Sequence, residues 1–201
     1  RKFLGSPGRK RSGRFSPDGK WMAFVSDETG DYQVYVTAYP GPGPTVAVST
    51  KGGLSPIWSA DGEHLWVTAW PGLFRLGLAG GQAEKVSDAN AWVEDRSPDG
   101  RTLAIMRDDS ASTLSDIWLV PTTGGPAVPF RQTPFAEREL RIAPDGRWGA
   151  WVSNETGTNE VYVARFPAPG EITRASPNGG QWPMWRPDGR ELYYRGPGNA
   201  L

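Results

Sequence analysis

Short hydrophobic runs recur along the whole chain, and residues that favour turns separate one run from the next. Runs of this length between turn signals are typical of β-strands and too short for helices. In each recurrence a modest run precedes a tight-turn signal, a stronger run follows it, and two further runs come after polar or Gly/Pro-rich segments. We therefore predict four strands in each recurrence. The strongest runs, which we assign to the second strands, are Trp21–Val25, Leu65–Val67, Leu103–Met106, Trp148–Val152 and Leu192–Tyr194.

The turn between the first and second strands carries a four-residue motif of the type Ser-Pro-Asp-Gly. Its aspartates are 43, 38, 46 and 43 residues apart. Proline presets φ for a tight turn, aspartate accepts hydrogen bonds from the turn backbone, and glycine adopts a positive φ. We therefore assign a structural role to five Asp-Gly pairs: Asp18 and Gly19, Asp61 and Gly62, Asp99 and Gly100, Asp145 and Gly146, and Asp188 and Gly189.

A period near forty residues with four strands in each repeat predicts an all-β fold, a β-propeller of four-stranded antiparallel blades with about five blades. We predict one propeller domain over residues 1–201, in which the last blade combines the two chain ends. Residues 184–201 would supply its first and second strands and a short third one, and a lone fourth strand at Arg1–Ser6 that completes this blade would hide two sheet edges. A piece of a longer ring is the alternative. The predicted blades are 8–50, 51–88, 89–133, 134–176, and 177–201 together with 1–7.

The segment Phe15–Trp21, an aromatic residue followed by Ser-Pro-Asp-Gly, a lysine and a hydrophobic strand, resembles the repeat of TolB-type, WD-like β-propellers. The resemblance covers essentially the whole chain. Residues 147–157 and 159–163 are also similar to the propeller regions that follow bacterial serine/threonine kinase domains. The resemblance implies a periplasmic or other extracytoplasmic bacterial setting, but it says little about a ligand, because fold and function separate.

One longer correspondence runs through the chain at a spacing of 127 residues. It is either a family resemblance between blades or the trace of a duplicated multi-blade unit. The matched pairs are Phe3 and Phe130, Pro7 and Pro134, Arg14 and Arg141, Pro17 and Pro144, and Asp18 and Asp145.

Charge and composition exclude several classes of function. Lys and Arg (22) balance Asp and Glu (22), so no overall field would attract nucleic acid, and no apolar run is long enough for membrane insertion. The chain has no cysteine, which excludes disulfides and thiolate metal sites. The first twenty residues are strongly basic, either an anion-binding patch or a solvated edge. Because the sequence starts at Arg1, we expect an excised or processed piece.

Catalytic chemistry has little support in the residues. His64 is the single histidine, and no Gly-x-Ser-x-Gly motif occurs, so a hydrolase triad is not expected. The repeated aspartates belong to separate turns, too far apart for a glycosidase pair. Loop acids, Asp27 with Glu28 and Asp31, or Asp108 with Asp109, are either calcium ligands or solvated side chains. We therefore predict no enzyme activity, no cofactor and no metal.

The tryptophans and one misplaced arginine suggest where a ligand would bind. Arg96 stands where other repeats have a large hydrophobic residue, so it either pairs with Glu94 or Asp95 or faces a binding channel. We expect Trp70, Trp92 and Trp182, which lie in or beside connections, to be exposed. The other seven tryptophans should be buried between blades: Trp21, Trp58, Trp66, Trp118, Trp148, Trp151 and Trp185.

Propellers bind through loops at one face, and the mixed basic, acidic and aromatic loops predicted here suit a protein or peptide. The predicted function is therefore a protein-binding or sensory module. A carbohydrate- or small-ligand-binding propeller is one alternative, and a structural fragment that self-associates through open blade edges is another. The candidate ligand-binding residues are Arg11, Arg14, Asp95, Arg96, Arg141 and Trp182.

Overall fold

A computed structural model of the chain describes residues 8–41, 43–78, 83–88, 91–108 and 114–199. Over these residues it contains eighteen β-strands and one short 3₁₀ turn at Pro197–Asn199. No helix in these ranges is long and apolar enough to cross a membrane. The strands are β1 Lys10–Phe15, β2 Trp21–Ser26, β3 Gln33–Ala38, β4 Thr45–Ala47, β5 Leu54–Trp58, β6 His64–Thr68, β7 Leu73–Gly77, β8 Glu84–Ser87, β9 Ala91–Arg96, β10 Thr102–Arg107, β11 Asp116–Pro121, β12 Val128–Arg131, β13 Glu137–Ile142, β14 Trp148–Ser153, β15 Glu160–Arg165, β16 Thr173–Arg174, β17 Gln181–Trp185 and β18 Leu192–Arg195.

The strands form four sheets of four strands and one sheet of two, and in each sheet neighbours along the chain pair with one another. This arrangement confirms the predicted fold class of four-stranded propeller blades. The last sheet, β17–β18, differs from the prediction, because the 3₁₀ turn at Pro197–Asn199 stands where a short third strand was expected. The predicted N-terminal strand at 1–6, and with it the proposed closure of the last blade, lies outside the described residues.

All five turns share a backbone hydrogen bond to the aspartate, and the three that begin with serine share a second one from its hydroxyl. In the first, Ser16 Oγ donates to Asp18 Oδ1 over 2.6 Å, and the same oxygen accepts the N–H of Lys20 at 3.1 Å. The hydroxyl hydrogen bond holds the pKa of Asp18 below its usual value. Gly19 has a φ of +70°, a conformation in which a side chain would be strained. Each turn therefore fixes the angle at which the second strand leaves the first.

The chain divides into two compact units, Arg1–Val93 and Glu94–Leu201. In the first unit, the sheets β1–β4 and β5–β8 bury a cluster that includes Val25, Val34 and Leu65. In the second unit, Trp151 and Leu140 lie in a core cluster with residues of β10 to β15. Both cores consist mainly of residues from the second and third strands, whose side chains alternate between two sheet faces, with first-strand residues such as Trp58 and Leu140 added.

The 127-residue correspondence extends from the turn motif to the backbone pairing. Strands β1, β2, β3 and β5 recur as β13, β14, β15 and β17, each 127 residues later. The register recurs too, because Lys10 pairs with Ser26 as Glu137 pairs with Ser153. The two units therefore contain the same local framework, which can be compared position by position.

Candidate functional site

The first strand of four sheets contains a β-bulge six residues before the turn aspartate. The bulged residue has a positive φ, of 55° at Ser12, 50° at Ser55, 61° at Glu139 and 53° at Trp182. The pairing register shifts at the same point in each strand. A bulge leaves a residue unpaired in the ladder, so its N–H is available to other acceptors. No sequence pattern indicated these bulges, because serine, glutamate and tryptophan rarely adopt a positive φ.

In the unit 94–201, acidic side chains of one first strand bind the bulged backbone of the next. The carboxylate of Glu94 accepts the N–H of Glu139 at 2.5 Å and that of Leu140 at 2.8 Å. The carboxylate of Glu139 accepts the N–H of Trp182 at 2.6 Å. Asp95 adds a third contact of this kind, accepting the N–H of Ile142 at 2.8 Å. These carboxylates link β9 to β13 and β13 to β17.

The environment of Glu94 changes its acidity. Burial raises the pKa of Glu94 to about 7, although the positive charge of Arg141 and the two backbone donors oppose the rise. The loss of hydration therefore outweighs the hydrogen bonds that favour the charged form. Glu94 changes its charge state near neutral pH.

The structure brings two of the predicted site residues, Asp95 and Arg141, to this contact between β9 and β13. Arg141 Nη1 donates to the carbonyl oxygens of Glu94 at 2.9 Å and of Leu140 at 2.8 Å. The guanidinium of Arg96 donates to the carbonyl oxygen of Ser97 at 2.7 Å, within its own turn. Backbone carbonyl oxygens therefore contribute to binding the guanidinium groups of both Arg96 and Arg141. For Arg96, the sequence analysis considered carboxylates or a binding channel but not a backbone oxygen.

A separate cleft of about 390 Å³ lies in the unit 1–93, where three connecting segments meet. We call it the aromatic cleft, and define it by Asp31, Tyr32, Lys51, Trp70 and Trp92. Trp70 is 78% exposed and Trp92 is 39% exposed. Asp31 and Lys51 are exposed and supply opposite charges. The cleft offers apolar surface with a charge of each sign.

The predicted site residue Arg11 lies beside the aromatic cleft, because its guanidinium carbon is 3.8 Å from the centre of the Tyr32 ring. A guanidinium over an aromatic face is a favourable cation–π contact. Arg14, also predicted, accepts the indole N–H of Trp58 on its carbonyl oxygen at 2.9 Å. Arg11 thus supports the wall of the cleft, whereas the backbone of Arg14 joins β1 to β5.

Several polar groups of the cleft wall already have partners within the protein. Thr68 Oγ1 donates to the carbonyl of Ala91 at 2.9 Å and accepts the N–H of Val93 at 3.1 Å. The side-chain oxygen of Gln33 accepts the hydroxyl of Ser49 at 2.7 Å. These contacts fix the wall and leave few neutral polar groups for a ligand.

Exposure of the tryptophans follows most of the sequence predictions. Trp70, Trp92 and Trp182 are exposed, as expected, and Trp58, Trp66 and Trp151 are buried. Trp118, Trp148 and Trp185 are partly buried. The prediction for Trp21 is wrong, since it is 42% exposed. Trp21 opens β2 directly after the turn, beside the exposed residues Asp18, Gly19 and Lys20.

The residues considered for catalysis and metal binding have structural contacts. His64 packs edge-on against Trp66 at a ring-centre distance of 5.2 Å, and burial lowers its pKa. Asp27 Oδ1 accepts the N–H of Arg9 at 2.6 Å, and Glu28 Oε2 is 3.4 Å from the ammonium of Lys10. Over the described ranges, no group of three or more acidic or histidine side chains is placed to hold a metal. Asp109 lies outside those ranges.

Sequence reasoning missed two fully buried acids, Asp116 and Glu137. Glu137 accepts hydrogen bonds from the hydroxyls of Thr133 and Ser153, and burial raises its pKa. Its second carboxylate oxygen has no partner in the described part of the chain. An acid at the start of a predicted strand ordinarily indicates a solvated position, so the pattern of polar residues gave no signal here.

Comparisons with known proteins support the propeller assignment. No protein-family model matches the chain. The chain is 28% identical over 163 residues to the uncharacterized peptidase YuxL of Bacillus subtilis, which covers 77% of the chain and 23% of that protein. It is 31% identical over 148 residues to the uncharacterized protein Atu1656 of Agrobacterium fabrum, which covers 70% of the chain and 49% of that protein. The chain thus spans half or less of each of these relatives.

Among solved structures, the chain is similar to a putative TolB from Agrobacterium tumefaciens, with a TM-score of 0.81 and 19% identity. The match covers 96% of this chain and 72% of that one. Together with the four-stranded sheets, this similarity defines the chain as a β-propeller protein. Within that class it has the TolB-like propeller fold, which confirms the resemblance of the repeat.

Proposed function

We propose that this chain is a non-catalytic binding module whose aromatic cleft holds an extended peptide segment of a protein partner. The observation that carries the proposal is the exposure of Trp70 and Trp92 around one cavity of about 390 Å³. Ligand sites commonly have cavities of about 300 to 1,000 Å³ with mostly apolar walls. Exposed tryptophans are also the side chains that contribute most to protein–protein binding.

The polar groups of the cleft favour a peptide over a sugar. A sugar needs many neutral hydrogen-bonding groups, but Gln33 and Thr68 are occupied by contacts inside the protein. Asp31 and Lys51 make no hydrogen bond or ion pair with other described residues, and both are exposed. Charges of opposite sign at the edge of an apolar cleft complement a peptide with a hydrophobic side chain between charged ones.

Selection from a displayed library of random peptides tests the proposal. We expect enriched peptides to contain a large hydrophobic residue flanked by charges, and Trp70→Ala to weaken their binding at least tenfold, a loss of about 1.4 kcal/mol. Trp182→Ala, which removes an exposed tryptophan from the other unit, is the matched control and should bind normally. The absence of any enriched peptide, or equal loss in both variants, would contradict the proposal.

The proposal extends to the whole protein in two respects. The resemblance of the repeat supports an extracytoplasmic bacterial setting. The name of the Bacillus subtilis relative refers to a peptidase, but the chain spans only 23% of that protein. In this proposal the chain contributes recognition and supplies no nucleophile or base.

A further inference from the structure

A second cleft, of about 700 Å³, occupies in the unit 94–201 the position that the aromatic cleft occupies in the unit 1–93. Its wall comes from the segments 157–160, 177–181 and 195–197. Each of these segments begins or ends 127 residues after its counterpart in the aromatic cleft. We call it the amide cleft, and define it by Asn159, Asn178, Gln181 and Arg195.

The framework behind the two clefts is the same. In the aromatic cleft, Ser49 Oγ accepts the N–H of Val34 at 2.8 Å and donates to Gln33. In the amide cleft, Ser176 Oγ accepts the N–H of Val161 at 2.6 Å and donates to Glu160 at 2.7 Å. The backbone contact between the segments also recurs, from Gly53 to Tyr32 at 3.0 Å and from Gly180 to Asn159 at 2.8 Å. Differences in lining therefore rest on a common backbone.

The lining differs in chemistry at the equivalent positions. Asn159 replaces Tyr32, Asn178 replaces Lys51 and Gln181 replaces Leu54. Pro197 stands in place of the exposed Trp70. These replacements exchange apolar and charged side chains for neutral amides and a proline, whereas Arg195 stands in place of Thr68.

The three amide side chains have unused hydrogen-bonding capacity. Within the part of the chain that the structure describes, the side chains of Asn159, Asn178 and Gln181 make no hydrogen bond. Each offers one acceptor oxygen and two N–H donors. By contrast, the buried Glu160 is satisfied by Ser176 and by the N–H of Gly179 at 3.0 Å. The three amides are thus neutral groups that both donate and accept, and Arg195 adds one positive charge to the wall.

An exposed aromatic ring lies next to these amides. Trp182 follows Gln181 in β17 and is 53% exposed. The guanidinium of Arg195, which lines the cleft, is 4.6 Å from the centre of the indole ring. Because Glu139 also binds the N–H of Trp182, both the ring and the backbone are held from within the unit. The indole is thus held beside Arg195 at the edge of the cleft, outside the residues that line it.

We propose that the amide cleft binds a neutral oligosaccharide. Hydroxyl groups donate and accept hydrogen bonds, as the three amides do, and a neutral sugar requires no charged partner. The site is separate from the aromatic cleft and has a different ligand class, so one propeller chain carries two recognition sites.

Isothermal titration with neutral hexasaccharides of glucose, N-acetylglucosamine and mannose tests this proposal. We expect at least one of them to bind more tightly than about 1 mM. The double substitution Asn178→Ala with Gln181→Ala should weaken that binding about tenfold or more, since it removes the hydrogen bonds of two of the three amides. The substitution Asn178→Asp keeps the shape of the side chain and should also weaken binding. Because Asn178 is exposed, this variant should fold normally, so weaker binding would not result from unfolding.

The equivalent positions of the other unit provide the controls. Lys51→Ala with Leu54→Ala should leave sugar binding unchanged, and peptide binding to the aromatic cleft should survive the amide substitutions. Failure of all three sugars to bind would overturn the proposal. So would sugar binding that Trp70→Ala abolishes but the amide substitutions do not, because that result would place the sugar in the aromatic cleft.

Discussion

Glu94 should make the stability of the protein depend on pH near neutrality. Its carboxylate binds the backbone N–H groups of Glu139 and Leu140, yet burial raises its pKa to about 7. In the unfolded chain the carboxyl group regains its ordinary pKa of 4.5. The folded protein therefore binds a proton at Glu94 more tightly than the unfolded chain does.

The sign and size of the effect follow from this difference. Below about pH 4.5 both states are protonated at Glu94, and the contribution to the free energy of unfolding is fully present. Between pH 4.5 and pH 7 only the folded state keeps the proton, so stability falls as the pH rises. A shift from 4.5 to about 7 corresponds to about 3 kcal/mol, at roughly 1.4 kcal/mol for each pKa unit.

The substitution Glu94→Gln isolates this effect. Glutamine cannot ionise and keeps one acceptor oxygen, so the variant has no pH-dependent contribution at this position and should be about 1 kcal/mol less stable than the wild-type protein at pH 4.5, from the missing second hydrogen bond. Urea unfolding of both proteins, from pH 4.5 to pH 8, measures the difference. We expect the advantage of the wild-type protein over Glu94→Gln to fall by about 3 kcal/mol across that range.

Glu171→Gln is the matched control. Because Glu171 is exposed, this substitution should leave the pH dependence of the free energy of unfolding as it is in the wild-type protein. The buried Glu137, whose pKa is also raised, contributes equally to the wild-type protein and to Glu94→Gln. Parallel stability curves for the wild-type protein and Glu94→Gln would refute the reasoning, since they would mean that Glu94 has the same pKa in the folded and unfolded chains.

Three further predictions concern the framework and the state of assembly. Gly146→Ala should lower the free energy of unfolding by about 1 kcal/mol, because Gly146 has a φ of +69°; Gly170→Ala, where φ is not positive and an added Cβ would meet no atom within 4 Å, is the control in thermal unfolding. Ser176→Ala should cost about 2 kcal/mol in the same assay, because it leaves the buried N–H of Val161 without its acceptor, and an unchanged midpoint would contradict this. Light scattering should give a mass independent of concentration if loop clefts carry the function, whereas growth of the mass with concentration would favour the alternative of assembly through open blade edges.

The sequence predicted the strands and turns because both depend on local patterns. The Asp18-Gly19 turn needs only residues within a span of five positions, and the second strands are short hydrophobic runs. The bulges were not predictable in this way. A positive φ at Glu139 or Trp182 opposes the intrinsic preference of the residue, and contacts with a neighbouring sheet hold it.

The candidate sites likewise contain some features that local sequence predicts and others that depend on residues far away along the chain. Exposure of Trp70 and Trp92 was predictable, because both lie at the ends of strands beside connections. The role of Glu94 was not, since its two partners lie 45 and 46 residues away along the chain. Sequence reasoning did select Asp95 and Arg141, which contribute to the contact between the strands, but it considered Glu94 only as a partner for Arg96.

The two clefts suggest how one repeat framework supports different ligands. The groups that fix the backbone, Ser49 and Ser176, are buried, and they bind main-chain N–H groups that are present whatever the side chains are. The exposed groups that line the clefts, such as Lys51 and Asn178, make no side-chain hydrogen bond within the described residues. A change in lining therefore alters the chemistry of the cleft at little cost in stability, because surface substitutions away from the core usually change stability by less than about 0.5 kcal/mol. This separation explains why the repeat motif identifies the fold but not the ligand, and why the ligand has to be sought in the residues that differ between positions 127 apart.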